Sequence, residues 1–248
     1  MIFAAGFGTR LGEIGRRTPK ALIDVGGRTM LERTVERLIA AGADRIVVNV
    51  HHHADRIEAF LAGRDFGAEI LVSREPARPL ETGGGLAHAR ALFRGTTPIL
   101  LHNVDVISDA DLGVLVGAHA AAGVLATLAV NERETSRHLL FDDRGLLGRE
   151  DRRHGLRLEG RPASGPVRAL AFAGIHVCSS QLLDLMMEHD GARGKGAVAP
   201  IPILDIYLRL VAEGHVIRPW LIDGRWFEIG SVERLETARA AMASREGG

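Results

Sequence analysis

A glycine-rich turn with nearby cations follows the first apolar residues of the chain. The run MIFAAGFGTRL brings Gly6 and Gly8 directly after a strand-like start, and Arg10 and Lys20 come soon afterwards. Because glycine lacks a Cβ, backbone N–H groups in such a turn can approach an anionic ligand. The spacing matches neither the Rossmann fingerprint nor a Walker A loop. An ordinary tight turn is an alternative reading of the glycines, but the two cations favour phosphate binding.

A carboxylate lies at the end of a later apolar run, ILLHNVDVISD, in which Asp105 follows strand-like residues. Open α/β sheets place their ligands at the carboxyl ends of parallel strands. Mg²⁺ prefers one or two carboxylates together with phosphate oxygens. Asp105 is therefore a candidate magnesium ligand, whereas Asp109 and Asp111 are expected to begin the helix that follows Ser108.

Two further stretches carry candidate site residues. The segment PLETGGGLAHA has three successive glycines before a predicted helix, where a missing side chain permits close approach of a flat base, although a plain helix start is the alternative. The segment NVHHHADRI holds three successive histidines. Alternation along a strand end would point these histidines in different directions, which favours a polar loop over a metal cluster.

Segments with helical and strand periodicity alternate through the first half of the chain. RTMLERTVERLIAAG has apolar residues at helical spacing, and Thr29 with Glu32 forms a capping-box pattern. The alternation predicts a mostly parallel sheet covered by helices on both faces. The predicted strands cover 45–50, 68–73, 98–103 and 124–130, with helices over 54–63, near 84–93 and after Ser108.

The alternation stops after residue 130, where antiparallel signals take over. We expect a hairpin over 138–150 around Asp-Arg-Gly, a long strand over 167–179 and a second hairpin over 216–230 that turns at Asp223-Gly224. Helices are expected over 200–214 and 231–243. The stretch 191–202 is rich in Gly, Ala and Pro and is predicted to be a loop, whose Arg193 and Lys195 could close over a substrate.

Composition excludes several classes of protein. The chain has 248 residues, 46% of them apolar, and its 31 basic and 31 acidic residues cancel. A net charge of zero gives no global attraction to nucleic acid or a membrane surface. The single cysteine, Cys178, excludes an intrachain disulfide and is expected to be buried and unreactive. With no signal-peptide pattern and no membrane-spanning apolar run, we expect a cytoplasmic protein.

Five motifs, in order along the chain, resemble those of the sugar-1-phosphate nucleotidylyltransferases. They are AAGFGTRL with TPKALIDVGGRTML, EPARPLETGGGLAHA, LLHNVDVI, AFAGIHV and RWFEIGSVERL. The resemblance implies a Rossmann-like α/β fold of the nucleotide-diphospho-sugar transferase type, with three layers (α/β/α) around a mostly parallel mixed sheet. Because the sequence shows no internal repeat and no linker between independent domains, we expect a single domain over 1–248, with a nucleotide-binding half (1–130) and a sugar-phosphate-binding half (131–248).

The same resemblance implies a role for each residue that matches a family motif. Arg10, Lys20 and Asp105 would be catalytic, Gly174 and Asp205 would bind the sugar phosphate, and Asp105 with Glu228 would bind Mg²⁺. The nucleotide-binding residues would be Ala5, Gly6, Gly8, Thr9, Arg10, Lys20, Glu81, Thr82, Gly83, Gly84 and Asn103.

The chain departs from the family pattern at two positions. Val104 precedes Asp105 where the family has glycine, and the W-x-D-[IV]-G motif reads Trp226-Phe227-Glu228-Ile229-Gly230. Glu228 is one methylene longer than aspartate, so it would shift a bound metal or weaken its binding. A relative that binds a nucleotide sugar without turnover is therefore an alternative.

By resemblance the expected reaction is Mg²⁺-dependent nucleotidyl transfer from a nucleoside triphosphate to a sugar 1-phosphate, with release of pyrophosphate. UTP with N-acetylmuramate 1-phosphate is the expected substrate pair, and GTP with mannose- or heptose-1-phosphate is the alternative. Cytidylyl transfer to an alcohol phosphate is a further possibility within the family. Nucleic acid and membrane are not expected partners, and the sequence does not predict an oligomeric state.

Overall fold

A computed structural model of the chain describes residues 1–76, 78–191 and 198–246, so Arg193 and Lys195 lie outside the described residues. Short 3₁₀ turns cover Thr9–Leu11, Lys20–Leu22 and Arg90–Leu92. The helices are α1 (Gly12–Arg17), α2 (Met30–Ala40), α3 (Ala54–Ala62), α4 (Glu81–His88), α5 (Leu112–Ala122), α6 (Gln181–Gly191), α7 (Ile203–Ala212) and α8 (Val232–Glu246). The strands are β1 (Ile2–Phe3), β2 (Asp24–Val25), β3 (Arg28–Thr29), β4 (Arg45–Val50), β5 (Glu69–Arg74), β6 (Ile99–Asn103), β7 (Val106–Ser108), β8 (Ala126–Asn131), β9 (Arg137–Asp142), β10 (Gly145–Asp151), β11 (Leu156–Glu159), β12 (Arg168–Cys178), β13 (Ile217–Leu221) and β14 (Trp226–Glu228).

The chain forms two compact units, each assembled from separate stretches of sequence. The first unit contains residues 1–79, 102–112 and 224–248. The second unit contains residues 80–101 and 113–223. The predicted division into a nucleotide-binding half and a sugar-phosphate-binding half stays a prediction.

Parallel strands form the centre of the first unit. β1 pairs in parallel with β4 on one side and with the last residues of β6 on the other, and β4 pairs in parallel with β5. The side chains of β4 from Ile46 to Val50 are buried, as expected for a parallel strand covered on both faces. Helix α2 begins at the predicted capping box of Thr29 and Glu32 and buries Leu31, Val35 and Leu38.

The second unit is built around a mixed sheet. β8 pairs in parallel with β13 and antiparallel with β12, and β12 continues antiparallel to β9. β9 and β10 form the hairpin predicted over 138–150, and β11 lies beside β10. Cys178 ends β12 and is fully buried, and this burial raises the pKa of its thiol to about 12. The thiol is therefore protonated at neutral pH.

A buried ion pair fixes the β9–β10 hairpin. The Asp142 carboxylate, with no exposed side-chain surface, lies 2.5 Å from Nη2 and 2.8 Å from Nη1 of Arg161. It also accepts hydrogen bonds from the backbone N–H and the hydroxyl of Ser164 and from the backbone N–H of Arg144. The Arg161 hydrogen bond is the largest cause that holds the pKa of Asp142 far below its ordinary value, and the Ser164 and Arg144 hydrogen bonds add to it.

The hairpin predicted over 216–230 is wrong. β13 pairs with β8, and β14 pairs with β7, so the two predicted arms have different partners. A turn is present, because Gly224 has a positive φ of 85°, but an Asp-Gly turn fixes only local direction. Residues far away in sequence decide the pairing of each arm.

The region after Ser108 also differs from the prediction. Asp109 does not begin a helix; its Oδ2 lies 2.9 Å from Nε of Arg225, and α5 begins only at Leu112. The pairing of β7 with β14 holds the backbone extended up to Ser108. The helix predicted near 84–93 begins earlier, at Glu81, and ends at His88. Helices α1 and α6 and the strands β2, β3, β7 and β11 were not predicted.

The Arg161–Asp142 pair predicts a large effect of Asp142→Asn on stability. Removal of the negative charge leaves a buried arginine without a counter-ion, which should lower the free energy of unfolding by about 2 to 4 kcal/mol at pH 7. Because the folded pKa lies below the unfolded value of about 4, this contribution is present above pH 4 and declines as pH falls below it. Urea denaturation at several pH values measures both effects. Asp143→Asn, at the exposed neighbouring position, is the matched control and should change stability little; equal stabilities of the two variants would contradict the prediction.

Candidate active site

The glycine-rich turn lies exposed at the end of β1. Ala5 and Gly8 are partly exposed, and Gly6 and Thr9 are exposed. A Cβ built on Gly6 would meet no atom within 4 Å, so space is open beside it. Gly8 has a positive φ of 64°, which favours glycine there. The turn thus has the open backbone that an anionic ligand requires.

Helix α1 fixes the shape of this turn by packing directly on it. A Cβ on Gly15 would lie 2.3 Å from the carbonyl oxygen of Gly8, so only glycine allows this approach. The same carbonyl accepts a hydrogen bond of 2.9 Å from the N–H of Leu11. The turn is therefore held from its C-terminal side, and its outer backbone stays exposed.

Lys20 and Asp105 form a partly buried ion pair. Nζ of Lys20 lies 2.6 Å from Oδ2 of Asp105, with exposed side-chain fractions of 13% and 20%. Low exposure reduces solvent screening and strengthens the attraction beyond that of a surface pair. The structure therefore brings together two residues that the sequence predicted to be catalytic.

The pairing of β7 with β14 brings Glu228 next to the Asp105 backbone. Glu228 is opposite Val106 in this ladder, and the N–H of Ile229 donates to the carbonyl of Asp105 at 2.9 Å. Val104 stands in the place of the family glycine with its side chain buried. Its φ is not positive, since among the described residues only His53 and Glu81 combine a side chain with positive φ. Valine is thus accommodated without backbone strain.

The Glu228 carboxylate lies between two arginines. Its Oε1 is 3.4 Å from Nη2 of Arg10, and its Oε2 is 2.5 Å from Nη1 of Arg234. Arg10 extends from the glycine-rich turn with 68% of its side chain exposed, whereas Glu228 is 24% exposed. Arg10 is therefore held only loosely at the turn.

The two predicted metal ligands, Asp105 and Glu228, would fit Mg²⁺ only when a bound ligand supplies further oxygens. Among the described residues no group of three or more His, Cys, Asp or Glu side chains could hold a metal ion. Mg²⁺ is commonly bound by one or two carboxylates and substrate phosphates rather than by a complete protein cage. Both carboxylates have some exposure, so the chemistry suits a metal that arrives with a nucleotide.

Asn103 ends β6 opposite Phe3, where the parallel strands of the first unit end. Its carbonyl accepts a hydrogen bond of 2.8 Å from Nδ1 of His102. His102 is fully buried, and this burial lowers its pKa to about 4 despite the opposing effect of that hydrogen bond. His102 is therefore neutral at pH 7 and contributes no charge beside Asp105.

The second unit holds the residues predicted to contact the nucleobase. Glu81 opens α4 with a positive φ of 60°, and the Thr82 hydroxyl accepts a hydrogen bond from the N–H of Ile203. The N–H groups of Gly83 and Gly84 both donate to the carbonyl of Ile201, at 2.9 and 3.1 Å.

The same two glycines are required by close packing within the second unit. A Cβ on Gly83 would lie 2.8 Å from the Ile201 carbonyl oxygen, and one on Gly84 would lie 2.6 Å from that of Ala199. Glycine is therefore required at 83 and 84 by close packing, whereas the sequence suggested glycines that leave space for a flat base. A role of these residues in nucleotide binding stays a prediction.

The two residues predicted to bind the sugar phosphate also lie in the second unit. Gly174 has a positive φ of 76° within β12, where the register against β8 shifts between Phe172 and His176. Bulges of this kind are common beside active sites. Asp205, in the first turn of α7, lies 2.8 Å from Nη2 of Arg149. The sugar-phosphate role of both residues stays a prediction.

Sequence reasoning missed two features of the first unit. Phe7 projects from the glycine-rich turn and contacts His51 and His52, with ring centroids 5.7 and 5.4 Å apart. The other is the contact of Arg234 with Glu228. A signal for it was present, because Arg234 stands in the first turn of α8, where the helix dipole disfavours a cation.

Comparisons with known proteins identify the family. A family model described as nucleotidyl transferase matches residues 1–245. The chain belongs to this family. It is 33% identical over 256 residues to the N-acetylmuramate alpha-1-phosphate uridylyltransferase of Caulobacter vibrioides, an alignment that covers 98% of this chain and 96% of that protein. It is 30% identical to the protein of the same name from Neisseria meningitidis serogroup B, over 97% of this chain and 96% of the relative.

A solved structure shows the same fold. The inositol-1-phosphate CTP transferase from T. maritima superimposes with a TM-score of 0.73 at 16% identity, covering 100% of this chain and 95% of that one. The predicted nucleotide-diphospho-sugar transferase fold, with a mixed, mostly parallel sheet and helices, is thereby confirmed. The resemblance to sugar-1-phosphate nucleotidylyltransferases is confirmed as well, and this family member is a nucleotidyltransferase. Within the described residues, no helix combines the length and apolar character needed to cross a bilayer.

The glycines of the turn predict opposite results for two alanine substitutions. Gly15→Ala places a Cβ against the Gly8 carbonyl, so it should lower the free energy of unfolding by about 1 to 3 kcal/mol through overpacking. Gly6→Ala meets only open space and should leave stability within about 0.5 kcal/mol. Thermal or urea denaturation of both variants measures the difference. A Gly15→Ala protein as stable as Gly6→Ala would show that α1 does not fix the turn.

Proposed function

We propose that this nucleotidyltransferase transfers a uridylyl group from UTP to N-acetylmuramate 1-phosphate, forming a nucleotide sugar and pyrophosphate. The Lys20–Asp105 pair beside an exposed glycine-rich turn is the observation that carries the chemistry. The two relatives named N-acetylmuramate alpha-1-phosphate uridylyltransferase, similar over nearly the whole chain, support this substrate pair. GTP with mannose- or heptose-1-phosphate is the alternative.

The proposed reaction is a single in-line displacement. A phosphate oxygen of the sugar 1-phosphate forms a bond to the α-phosphorus of the triphosphate, and the bond from that phosphorus to the β-bridging oxygen breaks. Pyrophosphate leaves with the electron pair, so no covalent enzyme intermediate is needed. Such transfers depend on positioning and on neutralisation of charge rather than on covalent work by side chains.

Arg10 and Lys20 supply the neutralising charges in this proposal. Arg10 is exposed and is 3.4 Å from its carboxylate partner, so its guanidinium can exchange that partner for a phosphate. Lys20 lies deeper, where reduced screening makes its charge more effective toward phosphoryl oxygens. The turn residues Ala5, Gly6, Gly8 and Thr9 would hold the triphosphate through their backbone.

Asp105 and Glu228 would hold Mg²⁺ together with the nucleotide phosphates. The bound ion would stabilise the negative charge on the phosphates and orient them for displacement. In the second unit, Glu81, Thr82, Gly83 and Gly84 are proposed to recognise the nucleotide, and Gly174 and Asp205 the sugar phosphate. Asn103, at the end of β6, is proposed as a further nucleotide contact.

A substrate panel tests the proposed reaction. Pyrophosphate release is measured with UTP, GTP, CTP and dTTP, each combined with N-acetylmuramate, mannose, heptose and glucose 1-phosphates and with phosphocholine. We expect the highest kcat/KM for UTP with N-acetylmuramate 1-phosphate. A higher value for GTP with mannose or heptose 1-phosphate would replace the proposed pair by the alternative. Absence of release from every combination would favour a protein that binds nucleotide sugars without turnover.

The two carboxylates predict different responses to substitution. Asp105→Ala removes both a proposed metal ligand and the partner of Lys20, so pyrophosphate release should fall at least about 100-fold. Glu228→Asp, which restores the residue typical of the family, should retain or increase the rate. Asp109→Ala, whose carboxylate is held by Arg225, is the neighbouring control and should keep most of the activity. A fully active Asp105→Ala enzyme would rule out the metal assignment.

A further inference from the structure

Arg234 has a position that helix electrostatics disfavours. It lies in the first turn of α8, whose N-terminus carries the positive end of the helix dipole. Its Nη1 is nevertheless 2.5 Å from Oε2 of Glu228, and this contact offsets the unfavourable position. Arg234 lies within the stretch RWFEIGSVERL that carries the family resemblance, but the resemblance assigns it no role in nucleotidyl transfer.

The two oxygens of the Glu228 carboxylate differ in how firmly they are held. Oε2 is in short contact with Arg234, whereas Oε1 is 3.4 Å from Arg10. Gly230 leaves the space for this arrangement, because a Cβ there would lie 2.6 Å from Oε1 and 3.1 Å from Nη2 of Arg10. One oxygen is thus anchored, and the other is loosely held where it faces the arginine of the glycine-rich turn.

We propose that Arg234 is a positioning residue that fixes Oε2 of Glu228 and so leaves only Oε1 to pair with Arg10. This inference rests on the proposed function, since it assigns to Arg10 a change of partner from Glu228 to the triphosphate. With a single oxygen available, the Arg10–Glu228 pair is weak and the triphosphate can displace it.

Loss of Arg234 should strengthen the ion pair between Arg10 and Glu228. A carboxylate released from its anchor can turn both oxygens toward the guanidinium of Arg10, and bidentate arginine–carboxylate pairs are stronger than single contacts. Arg10 would then be held away from the phosphates. Triphosphate binding should weaken, whereas the displacement step, once the complex has formed, should change little.

Arg234→Gln tests the proposal. The Kd of UTP is measured by calorimetry in EDTA, without turnover or divalent cation, and KM and kcat are measured by pyrophosphate release with Mg²⁺. We expect Kd and KM to rise about three- to fivefold, the scale of one exposed ion pair, with kcat within about twofold of wild type. Arg234→Lys should restore Kd, because one ammonium can reproduce the single contact to Oε2.

Arg28→Gln is a matched control. Nη1 of Arg28 also lies 2.5 Å from a glutamate, Oε2 of Glu36, with 58% of the arginine side chain exposed against 56% for Arg234. This variant should leave Kd and KM unchanged. In a Glu228→Gln background, Arg234→Gln should have no further effect on Kd, because the carboxylate that it positions is absent.

The outcomes separate this inference from the proposed function. A wild-type protein that binds none of the four triphosphates would overturn the proposed function. Wild-type binding with an unchanged Kd for Arg234→Gln, or a loss confined to kcat, would overturn the role of Arg234 alone. Arg234→Gln is also compared with Arg28→Gln by melting temperature. If Arg234→Gln melts at the lower temperature, Arg234→Met is used in its place, because methionine keeps most of the aliphatic length. The same rise in Kd is expected for Arg234→Met.

Discussion

The partly buried ion pair of Lys20 with Asp105 is the constraint on which the rest of the first unit depends. It joins Lys20, which follows Pro19, to Asp105, which lies 85 positions later between β6 and β7. Neither charge could be held at such low exposure without its partner, because an isolated charge removed from water is costly. The pairing of β6 with β1 and of β7 with β14 fixes the backbone on which Asp105 lies.

The features that could be predicted from the sequence are those decided by nearby residues. The capping box of Thr29 and Glu32, the buried strand β4 and the β9–β10 hairpin each follow from spacing within a few residues. The open glycine-rich turn belongs to the same group, since glycine acts through local sterics. The ends of β1 and β6 bring the turn and the residues before Asp105 to one edge of a parallel sheet, which the alternation of elements also indicated.

Long-range partners decided what the sequence could not predict. The arms of the supposed second hairpin pair with β8 and β7, which are remote in sequence. The sequence suggested that Gly83 and Gly84 leave open space at the start of a helix, but residues 199–201 pack against them. The sequence predicted Glu228 as a metal ligand of altered length, whereas the fold shows that its carboxylate is shared by Arg234 and by Arg10, which is 218 positions away.

The charges of the first unit form a set that can exchange partners. Each cation proposed to meet phosphate, Arg10 or Lys20, is paired with a carboxylate proposed to meet Mg²⁺. In the proposed function, the cations would pair with phosphate oxygens and the carboxylates would hold Mg²⁺ once a triphosphate is bound, so no charge would be left uncompensated in a partly buried place. Electrostatic preorganisation of this kind lowers the reorganisation that binding and displacement require. The longer side chain of Glu228 is compatible with this exchange because Gly230 provides the space and Arg234 limits the carboxylate to one exchangeable oxygen.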